Sequence, residues 1–148
     1  CKNNDELMFV TVWVGILDLN DGTVRFANGG HCPPAIERVG AEPEFLQMHP
    51  GVVLGIDPEA EFVTEHLTLG RGDRILLYTD GVTEANCHYG GFFGGDRLLD
   101  ALRSSEGTVS DQVDAVFQAV REFTSDADQF DDVTMIMTEY VGPQGSSS

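Results

Sequence analysis

Apolar and polar residues alternate along the first half of the chain in the two-residue period of half-buried strands. Residues 9–17 (FVTVWVGIL) are rich in β-branched and aromatic side chains and predict a strand. The LNDG sequence at 19–22 is a hairpin signal, with 23–27 as the returning strand. Pro33-Pro34 interrupts the pattern before a short strand at 35–38 and a weaker one at 45–48. Residues 61–69 alternate again, and the turn Gly70-Arg71-Gly72-Asp73 leads into a buried strand at 74–79.

The period then changes. Leu98, Leu99 and Leu102 lie on one helical face, with Asp96 placed to cap its start. Val113, Val116, Phe117, Val120 and Phe123 form a second apolar stripe behind a candidate cap at Ser110. Such a stripe reads as core packing rather than a partner groove. Residues 133–138 (VTMIMT) make a last strand, and GGFFGG at 90–95 reads as a flexible turn. That turn lacks the Lys-Ser/Thr of a phosphate-binding loop and the spacing of a dinucleotide fingerprint.

Hairpin strands followed by helices predict an α+β fold, an antiparallel sheet with the helices on one face, and no βαβ repetition. At 148 residues the chain suits a single domain with its own core. Residues 1–141 are assigned to that domain and the small polar residues 142–148 to a flexible tail.

Charge narrows the partners. With 25 acidic against 8 basic residues, the formal net charge is −17, so a phosphate backbone is repelled and nucleic acid is excluded as a partner. The same field attracts divalent cations and basic protein surfaces. Three cysteines, Cys1, Cys32 and Cys87, show neither a disulfide framework nor zinc-ligand spacing and suit reduced thiols in a cytoplasmic setting. No apolar run approaches the ~20 residues that span a bilayer, so no membrane partner is expected.

Three places carry candidate chemistry. In RILLYTDGVTEA (74–85) a carboxylate, Asp80, stands at a strand end before Gly81, which lets the backbone turn or approach closely. Taken alone, Asp-Gly is a common turn; on a rigid strand tip the same carboxylate suits a hard metal ion. In FDDVTMIM (130–137) the adjacent Asp131 and Asp132 precede an apolar strand. They either cap a turn or, if the two strands are antiparallel neighbours, converge with Asp80 on one cation. A divalent ion relieves the mutual repulsion of such carboxylates, and all-oxygen ligation favours Mg²⁺ or Mn²⁺ over zinc. In FANGGHCPPAI (26–36), Asn28 and His31 bracket two glycines; His31 reads as a structural residue, a ligand or a phosphate contact. His49, His66 and His88 share no metal-ligand spacing and read as surface or loop residues. No nucleophile motif is present, which leaves metal-assisted hydrolysis as the chemistry these residues suit.

Together, N-x-GH-x-PP, LLYTDGVTEA and DDVT, collinear from about Met8 to Thr138, resemble the SpoIIE/RsbU branch of the metal-dependent (PPM, type-2C-like) protein serine/threonine phosphatases. The resemblance implies an antiparallel β-sandwich flanked by helices (α-β-β-α) and two Mn²⁺ or Mg²⁺ ions at one end. It implies hydrolysis of phosphoserine or phosphothreonine by a metal-activated water. Asp80 and Asp131 correspond to the family's metal-binding, catalytic aspartates. Gly81, Asp132, Asn28 and His31 fall into supporting roles. The implied substrate is a phosphorylated regulatory protein of the anti-anti-sigma (STAS) type, with a sensor or receiver domain upstream and sigma-factor regulation as the output in a bacterial cell.

The family's upstream Gly-Asp-x-Ser-Gly segment, whose Asp bridges the two metals, is not in this sequence. The resemblance therefore implies the C-terminal part of a longer phosphatase domain, incomplete at its N-terminus. On that reading the chain alone is weakly active or inactive, and an exposed strand edge favours self-association into a homodimer. A non-catalytic pseudophosphatase binding module is the competing expectation. A plain calcium- or magnesium-binding acidic domain is the third.

Overall fold

The computed structural model describes residues 8–88, 90–124 and 132–143. Among them the LNDG hairpin forms where expected. It joins β1 (Val12–Leu17) to β2 (Thr23–Gly29) in antiparallel register, with Leu17 opposite Val24. Asp18 and Asp21 accept the Asn20 and Thr23 backbone N–H groups at 2.9 and 2.8 Å. Gly22 turns at φ 78°, where a Cβ would lie 2.2 Å from the Leu69 carbonyl oxygen.

β3 (Ala35–Glu37), β4 (Glu44–Phe45), β5 (Glu65–Thr68), β6 (Arg74–Tyr78) and β7 (Met135–Glu139) complete two antiparallel sheets, ordered β1-β2-β5 and β4-β3-β6-β7. Three helices are present among the described residues: α1 (Asp80–Thr83), α2 (Gly94–Arg103) and α3 (Val109–Thr124). The expected α+β class with antiparallel sheets stands, and the strand pattern sorts side chains into two cores. Val24, Phe26 and Leu67 of the first sheet meet Ile36, Ile75 and Tyr140 between the sheets. Leu76, Tyr78 and Met137 leave the other face of the second sheet to pack on Leu98, Leu102, Val116 and Val120 of the helices. Successive strand residues point to opposite faces, so Ile75 and Leu76 feed different cores.

Several local expectations are corrected. Apart from β2, which runs two residues further than read, the strands are shorter, and bulky residues such as Phe9 and Phe62 lie exposed outside them. GGFFGG is not simply a flexible turn: Phe93 is buried, stands edge-on to Phe123 at 5.7 Å and donates its backbone N–H to the Ala85 carbonyl. Asp96 lies in the first turn of α2 rather than at its cap, and the helix begins two residues earlier. At α3 the cap is Thr108 rather than Ser110. The Asp111 N–H donates to Thr108 Oγ1, and the Thr108 N–H donates to Asp111 Oδ2, a reciprocal capping box. The Thr108 hydroxyl, donating to Asp111 Oδ2 at 2.7 Å, and then the Thr108 N–H hold the Asp111 carboxyl below its usual range, so the cap persists above that range and is lost as pH falls through the lowered value. Phe117 is exposed, with the Arg121 guanidinium 5.9 Å from its ring centre.

Gln112 takes the buried place instead. It accepts from Arg74 Nη1 at 2.8 Å and donates to Glu37 Oε2 at 2.8 Å, while Arg74 Nε reaches Glu139 at 2.9 Å. Arg74 is at the start of β6, so this network locks α3 to the sheet at the end away from Asp80.

Both helices of more than one turn lie on the second sheet. The outer face of the first carries exposed Val14 and Ile16. Among the described residues no helix is long and apolar enough to cross a membrane.

Candidate metal centre

β6 carries the chain to Asp80, and burial then fixes the turn that follows. Val82, fully buried in the helix-side core, pins the single turn of α1. Asp80, at its start, is exposed at the rim. The Asp80 carbonyl accepts the Glu84 N–H at 2.7 Å, so the backbone beneath the carboxylate is held.

β6 and β7 are antiparallel neighbours, with Tyr78 opposite Met135, which is the condition under which the two acidic segments share a sheet end. Thr79, which the sequence alone does not single out, latches them. Its N–H donates to the Thr134 carbonyl at 3.0 Å and its hydroxyl donates to the Asp132 carbonyl at 2.9 Å. Its Oγ1 in turn accepts the Thr134 N–H at 3.1 Å. The signal was a threonine on each side of the acidic pairs, Thr79-Asp80 and Asp132-Val133-Thr134.

Gly81 closes the approach. A Cβ there would lie 2.6 Å from the Asp132 carbonyl oxygen and 3.0 Å from its carbon, so only glycine lets the two backbones come this close. Asp132 is exposed beside it. Asp131, the other expected ligand, lies outside the described residues. Among the described residues no three His, Cys, Asp or Glu side chains gather to hold an ion. The apposed strand ends each carry a carboxylate residue, Asp80 and Asp132, and carboxylate oxygens are the ligand type a hard cation takes.

The third motif lies toward the same sheet end: Ala35 is opposite Leu76, which puts Pro33 level with Tyr78. Asn28 is buried, and its Oδ1 accepts the His31 N–H at 2.9 Å across Gly29 and Gly30. His31 Nδ1 lies 3.3 Å from Thr11 Oγ1. These bonds tie both residues into the turn leaving β2. Of the remaining histidines, His49 Nδ1 pairs with Glu65 at 2.9 Å, while His66 lies in β5 and His88 in a loop, both exposed.

The next residue, Cys32, packs against the helix-side core, and burial first, then the nearby Asp80 carboxylate, push its thiol up. Burial likewise raises the Tyr78 hydroxyl, with Cys32 adding to it. Cys32 is thus a reporter on Asp80. With Cys1 and Cys87 replaced by Ser, Asp80→Asn should lower the thiol pKa and speed iodoacetamide alkylation at pH 8. An unchanged or slower rate would contradict the placement of Asp80 beside this thiol.

A two-sheet antiparallel sandwich with helices on one face is the fold of PP2C-like phosphatase domains. The phosphatase domain of the cell-fate determinant SpoIIE from Bacillus subtilis superposes with a TM-score of 0.70 at 19% identity, covering 97% of this chain and 63% of that one. The sequence matches the family described as Stage II sporulation protein E (SpoIIE) over residues 1–141, and the chain belongs to that family. Protein IcfG of Synechocystis sp. is 31% identical over 136 residues, which are 91% of this chain and 21% of IcfG. Phosphoserine phosphatase RsbU of Bacillus subtilis is 29% identical over 90 residues, 60% of this chain and 27% of RsbU. The chain thus spans between about a fifth and just over a quarter of the length of these curated relatives.

Proposed function

We propose that this chain supplies part of the catalytic centre of a metal-dependent protein serine/threonine phosphatase, with residues 1–141 as the C-terminal part of the phosphatase domain and 142–148 as a tail. The observation that supports this most is the latch of Thr79 and Gly81 against Asp132, which brings both acidic segments to one sheet end in a chain of the SpoIIE family. Asp80 and Asp131 would hold Mn²⁺ or Mg²⁺, with Asp132 beside them in a supporting role. When bound, the ion supplies charge neutralisation at the phosphoryl group and a water of lowered pKa.

The chain's own residues do the positioning. Val82 and Thr79 hold the Asp80 backbone, Gly81 admits the Asp132 segment, and Asn28 with His31 shapes the neighbouring turn. RsbU is named a phosphoserine phosphatase, which supports phosphoserine on a regulatory protein as substrate, one of the anti-anti-sigma (STAS) type. An upstream sensor or receiver domain completes this reading.

The test is phosphate release from p-nitrophenyl phosphate and from a phosphoserine peptide with and without Mn²⁺, by this chain and by the full-length polypeptide that carries it. Manganese-dependent release by the full-length polypeptide, with little from the 148-residue chain, is expected. Equal release by both overturns the partial-centre reading. Binding of the phosphopeptide with no release by either identifies a pseudophosphatase.

A further inference from the structure

A cleft of about 450 Å³ opens between the turn leaving β2 and the segment 45–51. Its position follows from the register. Ala35 is opposite both Leu76 of β6 and Phe45 of β4. Two residues back from Ala35, Pro33 is therefore level with Tyr78, and two residues on from Phe45, Gln47 reaches the same level. The cleft is thus at the sheet end that carries Asp80, two strands away. Two strand spacings are about 10 Å, the length of roughly three residues of extended chain.

Its lining differs from the rest of the surface. Phe45, Leu46 and Met48 give apolar walls; His31, Gln47 and His49 give polar groups; among the described residues no carboxylate lines it. In a chain with 25 acidic residues this is a local relief from negative charge. The groove between α2 and α3, by contrast, is lined by Asp100 and Glu122. Glu65, the acid that meets the cleft wall at His49, is engaged by the His49 backbone N–H and ring.

We propose that this cleft is the docking site for an extended segment of the phosphoprotein substrate, seating an apolar side chain about three residues from the phosphoserine. A phosphopeptide is an anion, and here it meets apolar walls and histidines rather than carboxylates. From the cleft it crosses the ends of β3 and β6, at right angles to the strands, toward Asp80. This inference rests on the phosphatase reading and deepens it by naming where the substrate's flanking residues lie.

The experiment is a ¹⁵N–¹H NMR titration of the metal-free 148-residue chain with the hexapeptide Gly-Val-Val-Gly-pSer-Gly. The first valine of the peptide is three residues from the phosphoserine. Amide shifts are expected at Gly30, His31 and Leu46–His49. Exposed Gln47 donates to the Phe45 carbonyl only at 3.4 Å, so it tolerates replacement. Gln47→Glu should weaken binding at least about fivefold, the order of one charge–charge contact near the surface, and Gln47→Ala should stay within about twofold on the same footing. Replacing the peptide's first valine by glycine should cost a factor similar to that of Gln47→Glu. Shifts confined to the α2–α3 groove, no shifts at all, or equal affinity for Gln47→Glu and Gln47→Ala would each overturn the proposal. Asp80→Asn separates the two readings: in the 148-residue chain it should keep the shifts, and in the full-length polypeptide it should lose manganese-dependent hydrolysis. Retained hydrolysis in that variant would sink the metal assignment and leave the cleft standing.

Discussion

Asp80→Asn is expected to lower manganese-dependent phosphate release by the full-length polypeptide by about a hundredfold or more, the scale on which removing one charge-stabilising group from a preorganised site acts. The replacement keeps the shape of the side chain and removes its charge and one ligand oxygen. Asp80 is exposed, and the backbone bond from Glu84 to its carbonyl does not involve the side chain. Folding should therefore survive: far-UV circular dichroism and the thermal midpoint should match those of the wild type. A hydrolysis rate within about threefold of wild type would remove Asp80 from the catalytic centre, since that is far below the loss expected of a ligand.

Gly81→Ala has the second large effect, through the backbone. The added methyl would meet the Asp132 carbonyl oxygen at 2.6 Å and its carbon at 3.0 Å, and neither atom belongs to a flexible side chain. On one side the turn cannot retreat, because Val82 is buried in the helix-side core. On the other, the Asp132 segment is held by the Thr79 hydroxyl at 2.9 Å. The clash must part the two acidic strand ends or strain the turn, at a cost of about 1–3 kcal/mol in the usual range for overpacking. Urea unfolding should show a lower midpoint with an unchanged slope, and manganese uptake should fall with it. Gly40→Ala is the control: a Cβ there meets nothing within 4 Å. It should lower stability through its left-handed backbone by about 1–2 kcal/mol and leave manganese uptake alone. Equal metal uptake by the Gly81→Ala and wild-type chains would show that the close approach does not shape the site.

The hairpin at LNDG, the strand ending in Tyr78 and the strand beginning near Met135 were legible because turn chemistry and a two-residue apolar period are local signals. Their pairing was only a conditional inference from the sequence, and the register Tyr78 to Met135 supplies it. The helix caps were less legible. Ser110 and Thr108 are equally good caps by type, and the reciprocal bonds with Asp111 decide between them. Phe117, expected in the stripe, is exposed, while Gln112 is buried because it has polar partners inside, Arg74 and Glu37, which no apolar count registers. GGFFGG read as loop because four glycines mask one phenylalanine that fills the core. At the site, Asp80 and Gly81 stood out through the strand-end motif, whereas Thr79 acts through bonds to residues more than fifty positions away.

The most direct test of the metal assignment is manganese uptake by the chain itself, read from the loss of the free-ion signal in electron paramagnetic resonance. The wild-type chain should bind Mn²⁺, and Asp80→Asn and Asp131→Asn should each weaken that binding at least about tenfold, as expected for loss of a group that holds or orients a metal. Glu139→Gln, distant at the far end of β7, should leave it unchanged. Identical uptake by all four proteins would mean that the −17 charge attracts the ion diffusely, and that no metal centre is built at the ends of β6 and β7.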